Sequence, residues 1–326
     1  PKIPSKFGKK ERPLPEGIPT FKSDVTAISV DVAVLTNQGR PIPSIPRGNF
    51  RILEDNVPQQ ISGFSTGEAP MTVAMVIEFS NLFQSYWTET WYQTLTAAYG
   101  FLETLRPEDY VAIVAYDIRP EILSDFSTDK RAAYDAMRRL QIAAYSESNL
   151  FDAITDTADR MSGIEGRKAI VLISSGIDTF SKLTFDQTRK ILQNAGVPIY
   201  AIGLMQALRE WYDARGYLGP IARLDFLQAD NQLRTFTKET GGTAFFPRFY
   251  GEFPGIFRAI GEALRLRYEL TYTPSNLVRD GKFRKIKVEL VDPATGQPLK
   301  ITDEKGKPIR YTIIAKAGYT APREVE

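Results

Sequence analysis

The sequence predicts an α/β chain in which a doubly wound, mostly parallel sheet is inserted in a discontinuous β-sandwich. Four continuous apolar runs suit strands that are buried on both faces of a parallel sheet, and helical stretches separate them. Segments in which apolar and polar side chains alternate precede and follow this region. Neither flank has enough of these segments to form a stable sandwich alone, so we expect the two flanks to pair.

The central strands and helices alternate along the chain. The apolar runs are Met71–Ile77, Val111–Tyr116, Ala169–Ile173 and Pro198–Leu204. Helices are predicted at about 86–105, 129–140, 149–161, 185–194, 228–240 and 253–266, with Gly196 as a helix stop. A short edge strand at Ile122–Leu123 and a last strand at Thr243–Phe246 complete the predicted central unit.

The flanks show the two-residue period of half-buried strands. The predicted strands are Ala27–Leu35, Asn49–Leu53, Gln59–Phe64, Arg267–Tyr272, Lys285–Val291 and Tyr311–Ala315. The expected units are an extended or disordered N-terminal arm (1–24), the first half of the sandwich (25–67), the α/β domain (70–265), the second half (266–320) and a short tail (321–326).

Composition excludes several function classes. Lys and Arg total 41 and Asp and Glu total 39, a balance that argues against nucleic acid as a partner. No apolar run approaches the ~20 residues that a membrane span requires. The chain contains no His and no Cys, which excludes histidine-dependent catalytic triads, thiol nucleophiles and thiolate metal sites. Any bound metal must therefore be a hard ion held by oxygen.

The expected location is periplasmic or extracellular. Absence of cysteine fits an exported protein that avoids stray oxidation, although a cytosolic chain can also lack cysteine. The sequence opens at Pro1 rather than Met. A removed signal peptide is one interpretation of this start, and a sequence that simply begins at this point is the other.

A series of short segments carries a resemblance to a known family. They include Val30–Val32, Asn49–Asp55, Leu150–Ile154, Arg167–Ser174, Gly196–Gly203, Thr240–Gly242, Tyr272–Asn276 and Ala317–Tyr319. In this order, over Val25 to Pro322, the chain resembles the von Willebrand factor A (VWA) related proteins of Acidobacteria and similar bacteria. The resemblance implies a Rossmann-like VWA fold, and it transfers fold better than function.

The resemblance also implies the position of a metal-ion-dependent adhesion site. Such a site takes Asp-x-Ser-x-Ser from its first loop, where this chain has Glu78, Ser80 and Leu82. The second-loop hydroxyl falls at Ser148, and Ser175 stands where the family usually has Asp. These departures predict a degenerate, empty site that needs no cofactor, with weak Mg²⁺ or Ca²⁺ binding as the alternative.

Two nearby carboxylates are weighed separately from that ligand set. Asp178, three residues beyond Ser175, is either a substitute ligand or a loop or helix-capping acid. Asp152 is predicted to be a structural hydrogen-bonding residue.

Aromatic side chains provide candidate partner contacts. Tyr86 and Tyr92 fall outside the helical stripe of their segment, whose other aromatic residues suit core packing. Trp211, Tyr212 and Tyr217 lie in a long connection, predicted as a loop from Met205 to Phe226. That loop is either a partner-binding element or a lid on its own domain.

The predicted function is a non-enzymatic protein-binding or accessory subunit of the cell envelope, with protein partners. The alternative is a metal-dependent adhesin with an altered site. An enzyme is the third hypothesis, and the sequence contains no phosphate-binding loop and no nucleophile elbow to support it.

Overall fold

A computed structural model describes residues 27–36, 41–66, 70–80, 95, 98–140, 147–164, 166–216, 220–302 and 306–323. Within these ranges the strands are β1 Ile28–Thr36, β2 Phe50–Glu54, β3 Val57–Gln59, β4 Ile61–Thr66, β5 Met71–Glu78, β6 Tyr110–Tyr116, β7 Pro120–Ser127, β8 Arg167–Ser174, β9 Ile199–Gly203, β10 Ala244–Phe245, β11 Tyr268–Tyr272, β12 Phe283–Leu290, β13 Ile301–Thr302, β14 Pro308–Ile309, β15 Tyr311–Ala315 and β16 Gly318–Thr320.

Five of the described helices connect central strands, and the last one connects β10 to β11. They are α1 Lys130–Arg138, α2 Leu150–Ser162, α3 Phe185–Ala195, α4 Met205–Ala214, α5 Pro220–Thr240 and α6 Phe253–Arg265. Residues 98–104 are also helical, and most of the earlier part of that predicted helix lies outside the described residues. Within the described ranges, no helix combines the length and apolar character needed to cross a membrane.

The central sheet has six strands in the order β10-β9-β8-β5-β6-β7. All neighbours are parallel except β7, which is antiparallel to β6. This arrangement confirms the mostly parallel α/β sheet expected from the apolar runs. The chain leaves β5 toward β6 on one side, while β8 lies on the other side. The carboxyl ends of β5 and β8 therefore flank the point where the winding direction changes.

Both faces of the central sheet are covered, which explains its continuous apolar strands. Val73 and Met75 of β5 belong to a buried cluster with Ile260 of α6. The alternate residue Val76 belongs to a second cluster with Leu150 of α2 and Phe236 of α5. Successive residues of one strand are thus buried against different helices.

The two flanking regions pair with each other in two four-stranded sheets, ordered β15-β1-β11-β4 and β16-β12-β2-β3. Val30 of the first flank is opposite Leu270 of the second, and Ile52 is opposite Val288. These four residues belong to one buried cluster that draws on both sheets. The pairing that the short flanks require is therefore present, strand against strand.

The Gly241–Gly242 pair joins the central unit to the flanks at the end of α5. A Cβ on Gly242 would lie 1.8 Å from the carbonyl oxygen of Ile199, so only glycine fits there. Gly241 has φ +84°, and a Cβ on it would lie 2.8 Å from the backbone nitrogen of Lys316. The buried Arg267 guanidinium donates to the Gly241 carbonyl and to the Tyr200 hydroxyl. These contacts fix the start of β11 against the central sheet.

The predicted loop from Met205 to Phe226 is wrong. Met205–Ala214 forms α4, and α5 begins at Pro220, eight residues before the predicted start at Gln228. The stretch that became α4 contains no Gly or Pro, so nothing interrupts a helix there. Proline is favoured in the first turn of a helix, because its missing N–H would have no partner there. Aromatic and charged composition was therefore a poor guide to loop structure.

Two strand predictions also differ from the structure. The short edge strand at Ile122–Leu123 is the eight-residue β7, and the predicted strand Gln59–Phe64 is divided between β3 and β4. Edge strands show weak periodicity because one long side of the strand faces solvent, so their ends are difficult to predict.

Candidate functional site

The candidate site lies at the carboxyl edge of the central sheet, where β5 and β8 end side by side. Glu78 is the last residue of β5, and Ser174 is the last residue of β8. Ile77 is opposite Ile173 in the parallel register, so Glu78 reaches the level of Ser174 and Ser175. The resemblance implied that Glu78 and Ser175 belong to one site, and the strand order explains their contact.

Glu78 is a buried carboxylate at the centre of a hydrogen-bond network. Its side chain is 0% exposed. Oε1 accepts from the Ser80 hydroxyl at 2.8 Å and lies 3.0 Å from the Ser175 hydroxyl. Oε2 accepts from the Ser175 backbone N–H at 2.7 Å and from the Ser174 hydroxyl at 3.0 Å. Both carboxylate oxygens are therefore occupied by donors of the chain itself.

Tyr116 closes the network from β6. Its hydroxyl lies 2.8 Å from Ser174 Oγ and 3.3 Å from Glu78 Oε2. Ser174 and Ser175 hydroxyls also accept backbone N–H groups, from Gly176 at 2.9 Å and Ile177 at 3.1 Å. The Ser174 and Ser175 hydroxyls are thus held by the backbone on one side and by Glu78 on the other.

Burial dominates the electrostatics of this network. It raises the pKa of Glu78, while hydrogen bonds from Ser175, Ser80 and Ser174 act in the opposite direction. Burial also raises the pKa of Tyr116 well above its ordinary value, and the neighbouring Glu78 adds to the shift. Tyr116 therefore remains a neutral donor throughout the physiological range.

Ser148 lies at the same edge but is not hydrogen-bonded to Glu78. Its backbone N–H donates to the Thr179 hydroxyl at 2.9 Å, and its carbonyl accepts from the Thr179 and Phe180 amides. Its own hydroxyl is buried and has no hydrogen-bond partner within the described part of the chain. The structure therefore joins Glu78, Ser80 and Ser175 in one cluster and attaches Ser148 to the loop that follows β8.

The two other carboxylates of this edge organise the start of α2. Asp178 Oδ1 accepts from the Phe151 N–H at 3.1 Å and from the Ser181 hydroxyl at 2.5 Å, and burial raises its pKa. Asp152 accepts from the backbone N–H groups of Lys182 and Leu183, each at 3.1 Å. Asp152 thus has the structural hydrogen-bonding role that was predicted for it, and Asp178 caps a helix.

The combination of this sheet order with a Glu–Ser cluster between the first and fourth central strands points to one domain type. Residues 73–177 match the family model of the von Willebrand factor type A domain. The matched stretch is less than half of the chain and contains Glu78, Ser80, Ser148 and Ser175. The central unit is therefore a VWA-type α/β fold. No curated protein matches the chain in sequence.

Several solved structures are similar to this chain at low sequence identity. Proximal thread matrix protein 1 from the mussel byssus is 12% identical with a TM-score of 0.48, covering 65% of this chain and 51% of the mussel chain. This chain thus spans about half the length of that protein. The vWF domain of the type V pili tip protein Mfa5 from Porphyromonas gingivalis is 14% identical with a TM-score of 0.47. The match covers 60% of this chain and 95% of the Mfa5 domain. A von Willebrand factor type A protein from Catenulispora acidiphila is 11% identical with a TM-score of 0.45. The match covers 93% of this chain and 76% of the Catenulispora chain.

The aromatic partner-binding candidates stay predictions. Tyr86, Tyr92 and Tyr217 lie outside the described residues. Trp211 and Tyr212 belong to α4 rather than to a loop, and their side chains are not among those described.

Exposed apolar side chains on the elements that follow the carboxyl ends of the central strands were not predicted. We call them the edge surface: Phe180, Leu224, Leu227 and Phe249. Each is between 50% and 69% exposed. Phe180 follows β8, Phe249 follows β10, and the two leucines lie in the first half of α5. An isolated apolar residue in a loop or on a helix gives no sequence signal of this kind, because its exposure depends on what packs over it.

Packing and ion pairs hold the elements that carry the edge surface. A Cβ on Gly176 would lie 2.8 Å from the carbonyl oxygen of Ala229, so α5 packs closely on the loop after β8. Arg209 of α4 pairs with Asp230 of α5 at 3.1 Å. Arg248 pairs with Glu210 at 3.1 Å and ties the loop after β10 to α4.

Proposed function

We propose that this chain is a non-enzymatic protein-binding or accessory subunit of the cell envelope, and that its VWA-type domain binds partners without a divalent metal. The observation that carries the proposal is the buried Glu78 carboxylate, whose two oxygens accept from Ser80, Ser174 and Ser175. The network occupies the donor atoms that the family would present to an ion.

The residues at this edge do not fit a small hard cation. Mg²⁺ requires near-ideal octahedral geometry at about 2.1 Å and loses its water reluctantly, so it needs carboxylates that are free to coordinate. Ser175 and Leu82 stand where the family has Asp and Ser. Among the described residues, no group of three or more Asp, Glu, His or Cys side chains could hold a metal.

Calorimetric titration of the full chain with Mg²⁺, Ca²⁺ and Mn²⁺ tests this proposal. We expect no binding with a Kd of ~10 µM or tighter, since the donor set is too small for strong coordination. The double variant Ser175→Asp, Leu82→Ser provides a matched comparison, because it restores oxygen donors at two positions. Micromolar binding to the unaltered chain would overturn the proposal.

A metal-dependent adhesin is the second candidate function. The buried Ser148 hydroxyl without a partner among the described residues favours it, because a buried polar atom normally has a partner. EDTA and Ser80→Ala should both abolish partner binding if this candidate is correct. Under the metal-independent proposal, EDTA leaves partner binding unchanged.

The edge surface supports partner binding through side-chain contact. Exposed aromatic and leucine side chains on well-held elements suit a protein interface. Capture of partners from the native membrane fraction, in EDTA, should succeed with the unaltered chain and fail with Phe180→Asp and Leu227→Asp. Leu277→Asp is the matched control, since Leu277 is 66% exposed in the connection between β11 and β12. Equal capture by all of these chains would exclude the edge surface as the contact.

The architecture and location complete the proposal. The paired flanks, 25–67 and 266–320, form one discontinuous β-sandwich around a VWA domain at 70–265. A protease site inserted at 67–69 should leave the two flanks associated after cleavage, because strands of both occur in each flanking sheet.

The chain is exported, so fractionation of the source cells should place it in the periplasm or outside the cell. Release of the cleaved flank, or a cytosolic chain, would contradict these statements.

A further inference from the structure

A cleft lies at the junction between the central sheet and the flanks, on the side opposite the candidate site. Its volume is about 390 Å³. Asp31 of β1 and Glu269 of β11 line it from the flanks, Lys168 of β8 lines it from the central sheet, and Lys316 lines it just after β15. Clefts between packed units are common places for small molecules to enter a protein.

The backbone holds Lys316 in this cleft. The backbone nitrogen of Lys316 is the atom closest to a Cβ built on Gly241. The next residue, Ala317, donates its N–H to the Glu239 carbonyl at 3.1 Å. The Lys316 side chain is half-buried. Its position is therefore set by the junction itself and not by a mobile surface loop.

The two lysines of the cleft differ in their hydrogen bonds. Lys168 Nζ donates to the carbonyls of Ser162 at 2.7 Å and Ile164 at 2.8 Å. These bonds favour the protonated amine and oppose the burial that lowers the pKa of Lys168. Lys316 Nζ has no hydrogen bond and no ion pair within 4 Å among the described residues. No described acceptor therefore holds the Lys316 ammonium in its protonated form by a hydrogen bond.

The charged and titratable groups around Lys316 decide how readily its amine loses its proton. Burial lowers the pKa of Lys316 to about 8, Asp31 opposes this shift and Lys168 reinforces it. The charged and titratable side chains that line the cleft are Asp31, Arg167, Lys168, Glu269, Lys316 and Tyr319. The Arg167 guanidinium donates to the carbonyls of Arg265 and Arg267.

We propose that Lys316 is the preferred Nε-acylation site of this chain, with small acyl donors such as acyl phosphates entering the junction cleft. The uncharged amine attacks the acyl carbon. A C–N bond forms, the C–O bond to phosphate breaks, phosphate leaves with the bonding electrons, and the amine proton passes to solvent. The product amide removes one positive charge from the cleft and leaves Asp31 with one neighbouring cation fewer.

The expected rate advantage follows from the unprotonated fraction of the amine. At pH 7.5 about a quarter of a lysine with a pKa near 8 is unprotonated, compared with roughly 0.1% of an ordinary lysine. A less basic amine is also a weaker nucleophile, which offsets part of the gain. We therefore expect Lys316 to react about tenfold faster than an exposed lysine.

Acetyl phosphate at limiting dose, with peptide mass spectrometry of the full chain, tests the proposal. Lys316 should acquire acetyl groups about tenfold faster than the exposed Lys300 and faster than Lys168. Its rate should rise with a midpoint near pH 8, and Asp31→Asn should move that midpoint lower. Lys316→Arg, which keeps the charge, should remove only this site. A Lys316 rate equal to that of Lys300, or a rate that still rises steeply above pH 9, would overturn the proposal.

Discussion

Replacing Glu78 by alanine should destabilise the VWA-type domain, because the substitution removes the acceptor of a buried network. Glu78 is 0% exposed, and no solvent contact compensates for it in the folded chain. Three of its donors have no other acceptor among the described residues: the Ser175 backbone N–H at 2.7 Å, the Ser80 hydroxyl at 2.8 Å and the Ser175 hydroxyl at 2.9 Å. The Ser174 hydroxyl keeps the Tyr116 hydroxyl as a partner.

The expected loss can be estimated from these three orphaned donors. A buried donor without an acceptor costs about 1–3 kcal/mol, so Glu78→Ala should lower the free energy of unfolding by about 3–9 kcal/mol. Glu78→Gln should cost about 1 kcal/mol. Its amide oxygen can still accept from the Ser175 N–H, while the Ser80 and Ser175 hydroxyls can turn to accept from the amide NH₂.

The pH dependence of the free energy of unfolding distinguishes the unaltered chain, with Glu78, from the variant Glu78→Gln. Burial raises the pKa of Glu78 above its ordinary value of 4.5, so the folded chain holds this proton more tightly than the unfolded chain. That contribution to stability is fully present below pH 4.5 and is lost as pH rises through the folded-state pKa. Glutamine does not ionise. The stability of the unaltered chain relative to Glu78→Gln should therefore fall as pH rises.

Urea denaturation followed by tryptophan fluorescence measures these differences. Trp87, Trp91 and Trp211 are the three tryptophans of the chain and fall in the stretch of the central unit. Unfolding curves at pH 4.5, 6 and 8 give the free energies for the three chains. Glu78→Ala within ~1 kcal/mol of the unaltered chain at every pH would refute the reasoning, because water would then satisfy the network.

Two further substitutions test the packing that positions the site. Gly242→Ala should destabilise the chain by about 3 kcal/mol or prevent folding, because its Cβ would lie 1.8 Å from a carbonyl oxygen at the start of β9. Its control is Gly163→Ala, which should be nearly neutral in the same urea titration, because a Cβ at that position has nothing within 4 Å. Asp109→Ala should lower the free energy of unfolding by about 3–5 kcal/mol, since Asp109 is buried and pairs with Arg265 at 3.1 Å. Its control is Asp129→Ala, which removes an exposed helix cap and should lower the free energy of unfolding by about 1 kcal/mol. Similar midpoints for a substitution and its control would contradict either prediction.

The sequence by itself determined the central strands, because each needs an uninterrupted apolar run to be buried on both faces. It also determined which donor types stand at the VWA metal positions, since Glu78 and Ser175 can be identified by order along the chain. Pairing of the flanks followed from their small number of strands. These features depend on residue type and spacing, which the sequence states directly.

Only the tertiary structure decided what those residues do. Ser174 and Tyr116 contact Glu78 because β8 and β6 both lie beside β5, although they are distant along the chain. The same is true of the edge surface, whose exposure depends on where α5 packs, and of Lys316, which meets Asp31 and Lys168 only at the junction. Hydrogen-bond partners, exposure and pKa are properties of neighbours in space, and strand order sets those neighbours.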